Sequence, residues 1–142
     1  MKIKKEKMNN EFTKFHIRID NKGEHLFNTV LHRFTDTDKG GPHDHPWGFT
    51  THILKGGYVE KVYNIHEDGT WSSELIHRKP GTAHTVAATC IHEIVELPEG
   101  ECWTLIIPGA PERTSGFWRF EDSFIGFRLW NKRKYLPVIP TS

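Results

Sequence analysis

The stretch 40-GGPHDHPWGFTTHILKGGY-58 sets two histidines, His43 and His45, one residue apart between paired glycines and an apolar run. Neutral imidazole is the commonest protein ligand for transition metals. In extended chain, residues i and i+2 point to the same face, so both rings would project to one side, where they can share an ion. Pro46 offers no N–H to a ladder and places the pair at an edge or bend. A solvated loop is the competing reading, because glycines and an aspartate surround the pair. A third imidazole would decide between them. Two candidates lie in 80-PGTAHTVAATCIH-92, namely His84 and His92.

Other side chains could take part. Glu60 follows the GGY turn and is a general base if it points inward, or an ordinary exposed strand residue if it does not. Arg33, in 31-LHRF-34, would clamp a carboxylate or phosphate bidentately if buried, and would form a surface ion pair otherwise. Trp47, Tyr58, Trp103 and Trp118 suit either the mostly apolar wall of a ligand pocket or a barrel core. His16, His25, His32, His66 and His77 read as surface residues. No GxSxG, P-loop or dinucleotide-binding glycine pattern is present, so those routes to hydrolysis and nucleotide binding lack support.

The elements that must position these residues are strands. Short β-like runs recur at 15–19, 26–34, 49–54, 58–65, 73–77, 82–86, 92–97, 102–107 and 116–120, each rich in aromatic or β-branched residues. Turn sequences separate them: DTDKGGP, KGG, EDG, KPG, PEG and PGAPE. Many short strands at this spacing predict an all-β sandwich or closed barrel. The best helical candidate is a short turn within 120-FEDSFIGFRLW-130. One domain is expected over 1–142, with a barrel core at about 26–120 and a solvated basic tail over 1–12. The run 15-FHIRI-19 is the candidate strand for edge pairing into a homodimer.

Bulk properties narrow the partners. A net charge of +1 gives no general attraction to nucleic acid or to an anionic membrane. No apolar run approaches the roughly 20 residues of a membrane helix, and the basic start carries no apolar signal-peptide core. Cys90 and Cys102 are the only cysteines and make no CxxC, which suits a reducing, cytoplasmic setting.

The histidine segments together resemble the two motifs of the cupin superfamily. In the first, His43 and His45 match the HxH pair and Gly57 the closing glycine; the leading glycine falls on Thr37, echoed nearby by Gly40 and Gly41. The motif's glutamate falls on Thr50, or on Phe49 with the shorter spacing, and neither is acidic. In the second, Gly81 and His92 match, while Ala87, Thr89 and Glu96 stand in place of proline, glycine and asparagine. The resemblance spans about residues 30–107. It is stronger to a group of small single-domain cupins that share 43-HDHPW-47, 53-ILKGGY-58, the second histidine motif, 103-WTL-105 and 116-GFW-118, and it favours His92 over His84.

The resemblance implies a double-stranded β-helix, the jelly-roll barrel, with His43, His45 and His92 holding a divalent transition metal in its mouth. Iron, nickel, manganese and zinc all accept imidazole. Without the glutamate the site keeps the ion's full charge, which suits an anionic small-molecule substrate or dioxygen. His52 shares the strand parity of Thr50 and is a candidate fourth ligand. Three functions follow as expectations: a metal-dependent oxygenase-type enzyme, a sugar-nucleotide epimerase or isomerase, and a non-catalytic small-molecule-binding barrel.

Overall fold

A computed structural model describes residues 2–8, 12–21, 24–38 and 40–138; of residues 2–3, 16–21 and 24–28 only the backbone is described. Among the described residues twelve strands follow one another: β1 (Lys2–Lys7), β2 (Phe12–Asn21), β3 (Glu24–Phe34), β4 (Phe49–Lys55), β5 (Tyr58–Ile65), β6 (Trp71–Arg78), β7 (Ala83–Val86), β8 (Ile91–Glu96), β9 (Cys102–Pro108), β10 (Gly116–Glu121), β11 (Phe124–Leu129) and β12 (Leu136–Pro137). They form a six-stranded sheet ordered β1-β2-β3-β9-β4-β7 and two three-stranded sheets, β6-β5-β8 and β10-β11-β12. Every pairing is antiparallel. The result is the all-β architecture expected from the strand spacing, and it agrees with the jelly roll that the resemblance implies.

Alternation decides which side chains turn inward. In β4, Thr51 and Ile53 are buried while Leu54 and Lys55 are exposed. In β9, Cys102, Thr104 and Ile106 are buried. In β5, Tyr58 and Glu60 take the inward positions. The core cluster of Ile53, Tyr58, Ile94 and Cys102, with Phe34 and Leu97 against it, therefore joins strands of the six-stranded sheet to β5 and β8. Burial of each large apolar side chain contributes about 1.5–3 kcal/mol.

The turn from β4 to β5 needs its two glycines. Gly56 and Gly57 have φ of 84° and 79°, and a Cβ on Gly56 would strike the carbonyl oxygen of Glu101. This tight turn sets the register that brings Glu60 inward.

Three expectations are corrected. Residues 2–7, expected in a tail, form β1, whose backbone pairs with β2 from Lys2↔Arg18 to Lys7↔Thr13. The run 15–19 is not an edge, because β2 is paired by β1 on one side and β3 on the other. Residues 120–130 form no helix: β10 and β11 make a hairpin that turns at Asp122 and Ser123. Phe120, Phe124 and Phe127 favour strands there, and the hairpin satisfies the backbone groups a helix would otherwise pair.

Candidate metal centre

His43 and His92 are joined by an isolated antiparallel bridge. Each donates its backbone N–H to the other's carbonyl at 3.0 Å, which places the two side chains directly opposite on one face. His45 N–H donates to the Ala88 carbonyl at 3.0 Å and returns the chain to the same side. Between them Asp44 points the other way. Its carboxylate is buried and accepts hydrogen bonds from Gly116 N at 2.7 Å and Trp118 Nε1 at 3.0 Å. Arg113 Nη1 pairs with it at 2.5 Å. The i, i+2 parity of HDH thus splits the motif, with two imidazoles toward the cavity and one carboxylate anchored behind.

One nitrogen from each of His43, His45 and His92 can be chosen so that all three lie within 4.8 Å of one another. Ring centroids are 5.3 Å apart for His43–His45, 5.0 Å for His43–His92 and 4.8 Å for His45–His92. Nε2 of His92 is 3.1 Å from Nε2 of His45. Two of the rings have their other nitrogen engaged. His43 Nδ1 donates to the Gly41 carbonyl at 3.0 Å, and His92 Nδ1 donates to Glu60 Oε1 at 3.3 Å. Those partners fix the tautomer that leaves Nε2 with its lone pair, which is how ligating imidazoles are held. The donor set therefore fits a divalent transition metal.

Burial disfavours a charge on two of these rings, His43 and His45. Burial pulls His43 below its ordinary pKa, and His92 adds to the effect against the opposing pull of Asp38. His45 is pushed down to about 2 by burial, then by His92, His43 and Arg113. Burial alone would raise Glu60, yet its hydrogen bonds and charge contacts with His92 and Arg78 hold it below the usual carboxylate value. Arg78 Nε donates to Glu60 Oε2 at 3.2 Å. Glu60, 1% exposed, is thus an ionised group paired on both oxygens.

His84 sits behind the three-imidazole group. Its Nε2 is 3.6 Å from Glu60 Oε2 and 3.4 Å from the Tyr58 hydroxyl. A cavity of about 290 Å³ opens beside His43, His45 and His92 and is also lined by Trp47, Phe49, Thr51, Tyr58 and Ile94. Two hydroxyls that face it, those of Thr51 and Thr104, are buried without a hydrogen-bond partner among the described residues. An unpaired buried polar group costs about 1–3 kcal/mol, and both hydroxyls are placed to bond a molecule held in the cavity.

Several sequence-derived positions lie elsewhere. Thr50 is on the outer side of β4, its Oγ1 3.5 Å from that of Thr85, because the inward parity belongs to Thr51 and Ile53. His52 shares the parity of Thr50, and for that reason is not a fourth ligand. Phe49, the shorter-spacing position of the missing glutamate, does reach the cavity and meets the His45 ring at 4.9 Å. Arg33 does not enter the cavity: its side chain is 43% exposed, and it donates to Glu101 Oε1 at 2.6 Å while lying over Trp103. Trp103 stacks on Phe15 outside the barrel. Thr51, Thr104 and Lys14 line the cavity and were not foreseen, and His32, expected on the surface, lines it as well. Strand parity across β2, β3, β4 and β9 was the signal that could have found them.

No protein-family profile and no curated protein matches this sequence. Solved structures do. Hydroxypropylphosphonic acid epoxidase from S. wedmorenis aligns at a TM-score of 0.55 and 9% identity over 75% of this chain and 55% of the epoxidase chain. The structure of Fe(II)-HppE with an alternative substrate aligns at 0.52 and 10% identity, over 76% of this chain and 55% of that one. The polyketide cyclase RemF from Streptomyces resistomycificus gives 0.53 and 20% identity over 78% and 77% of the two chains. The 7S globulin of Momordica charantia gives 0.60 and 9% identity over 84% and 36%. The chain has the cupin fold. It spans about half of the epoxidase and about a third of the globulin. An epoxidase, a cyclase and a globulin on one fold also leave activity to be argued from the site itself.

Proposed function

We propose that this cupin binds one divalent transition metal through His43, His45 and His92 and uses it in an oxygenase-type reaction on a small molecule. The observation that carries the reading is the convergence of three imidazoles on one corner of a cavity, with Glu60 behind His92. Three imidazoles without a carboxylate leave coordination positions open for substrate or dioxygen. When bound, the ion supplies Lewis acidity and, if iron, one-electron chemistry. The chain's residues do the rest. Gly41 and Glu60 orient the rings. Trp47, Phe49, Ile94 and Ile106 give the cavity apolar walls, which limits water near the reacting centre. The iron of Fe(II)-HppE, a structure of similar fold, agrees with this reading.

A volume of about 290 Å³ sits at the lower end of ligand-pocket sizes and suits a small substrate. Homodimerisation and a cytoplasmic location belong to the same proposal, with light scattering and cell fractionation as their checks. The central test is elemental analysis of the purified protein with titration of Fe(II), Mn(II), Ni(II) and Zn(II). About one metal per chain, lost in His43→Ala and His92→Ala, is expected. Failure of all four ions to bind at about 10 μM would overturn the reading.

A further inference from the structure

The wall of the cavity contributed by the six-stranded sheet is not uniformly apolar. Lys14 pairs in register with His32, and His32 with Thr104. Residues directly opposite on neighbouring antiparallel strands bring their Cβ atoms to about 4.5–5.5 Å, so these three side chains form one row across β2, β3 and β9. All three line the same cavity as the histidines. Thr51, on β4, is diagonal to Thr104: it pairs with Ile106, while Thr104 pairs with Ile53. Thr51 and Thr104 are each 1% exposed, and among the described residues neither hydroxyl has a hydrogen-bond partner.

Charge points the same way. Lys14 brings an ammonium, held over the Phe12 ring with Nζ 5.5 Å from its centroid. Burial pulls it below the ordinary lysine value, and Glu6, opposite on β1, pulls it back up. The acidic group of the cavity, Asp38, is engaged by accepting from Ile94 N at 2.7 Å. Asp38 thus has a donor of its own, and the Lys14 ammonium stands on the cavity wall beside the two hydroxyls, where it can pair with an anion. A singly charged, planar oxyanion matches one ammonium and two hydroxyl donors better than a dianion does.

We infer that Lys14, His32 and Thr104, with Thr51 beside them, bind the carboxylate of a small acid whose remaining atoms extend toward the three-imidazole corner. The substrate class is then a short or aromatic monocarboxylic acid. This rests on reading the cavity as a small-molecule site, but the carboxylate row does not require the metal.

Calorimetric titration of metal-free protein with acetate, propionate and benzoate tests it, with benzamide and inorganic phosphate as controls. Saturable binding of at least one carboxylate is expected, with benzamide and phosphate weaker. Lys14→Gln and Thr104→Val should each weaken that carboxylate about tenfold or more, and Lys14→Arg and Thr104→Ser should restore most of it. Zinc titration of the same variants should give wild-type affinity. Equal carboxylate binding by Lys14→Gln and wild type would overturn the inference, as would no carboxylate binding at about 10 mM or tighter binding of phosphate. Loss of zinc binding in wild type with carboxylate binding intact would instead sink the metal reading alone.

Discussion

His43 and His92, 49 residues apart by their numbers, exchange two backbone hydrogen bonds of 3.0 Å each. The ligand geometry is therefore written into a β-bridge before any metal arrives. Side-chain rotation alone cannot move either ring far from the other, so the site is largely preorganised.

The bridge survives loss of a ring, since it is made by the main chain. His43→Ala and His92→Ala should each abolish tight binding of Zn(II) while leaving the far-ultraviolet circular dichroism of the barrel intact. Calorimetry and spectra on the same samples check both halves.

Glu60→Gln should lower metal affinity about 10- to 100-fold, because the amide orients His92 without its charge. The variant also leaves Arg78 facing a neutral partner, so chemical denaturation should show reduced stability. Metal affinity falling with no change in stability would mean that Glu60 acts on His92 alone.

The position of the missing carboxylate can be tested directly. Phe49→Glu should tighten divalent metal by placing an anion beside His45. Thr50→Glu, on the outer face of β4, should leave affinity within about twofold. Paired metal titrations decide, and tightening in Thr50→Glu would reverse the strand parity described above.

Cys102 is 0% exposed, and burial raises its thiol from 9.0 to about 11. Between those values the folded protein holds a proton that the unfolded chain has released. Stability therefore falls as pH rises from about 9 to 11 and is unaffected by this group at neutral pH. Cys102→Ala should make that alkaline decline shallower in denaturant midpoints measured across the range. Tyr58, also raised by burial, keeps part of the slope.

Much of the strand order was legible in alternation and turn residues. Runs such as 58-YVEKVYNI-65 and 102-CWTLIIP-108 carry their burial in a period of two. The HxH pair was legible for the same reason. What failed was phase. After Pro46 the chain passes through an irregular stretch before β4 begins at Phe49, and a one-residue error there exchanges Thr50 for Thr51 and turns His52 inward. Lys14 and Thr104 escaped notice, and His32 read as a surface residue, because their adjacency comes from the pairing of β2 and β3 with the distant β9. Arg33 misled because a cation on a strand reads alike on either face.

Asp44 ties the imidazole loop to Gly116 and Trp118, 72 and 74 residues further along the chain. Such distant closures are slow, since loop entropy must be met before the contact forms. On a ribosome delivering residues from the N-terminus, His43 and His45 would be exposed long before their anchor has been synthesised. The metal corner is thus expected to be among the last parts of the protein to become rigid, and pulsed hydrogen exchange should find the amide of Gly116 protected later than those of β5.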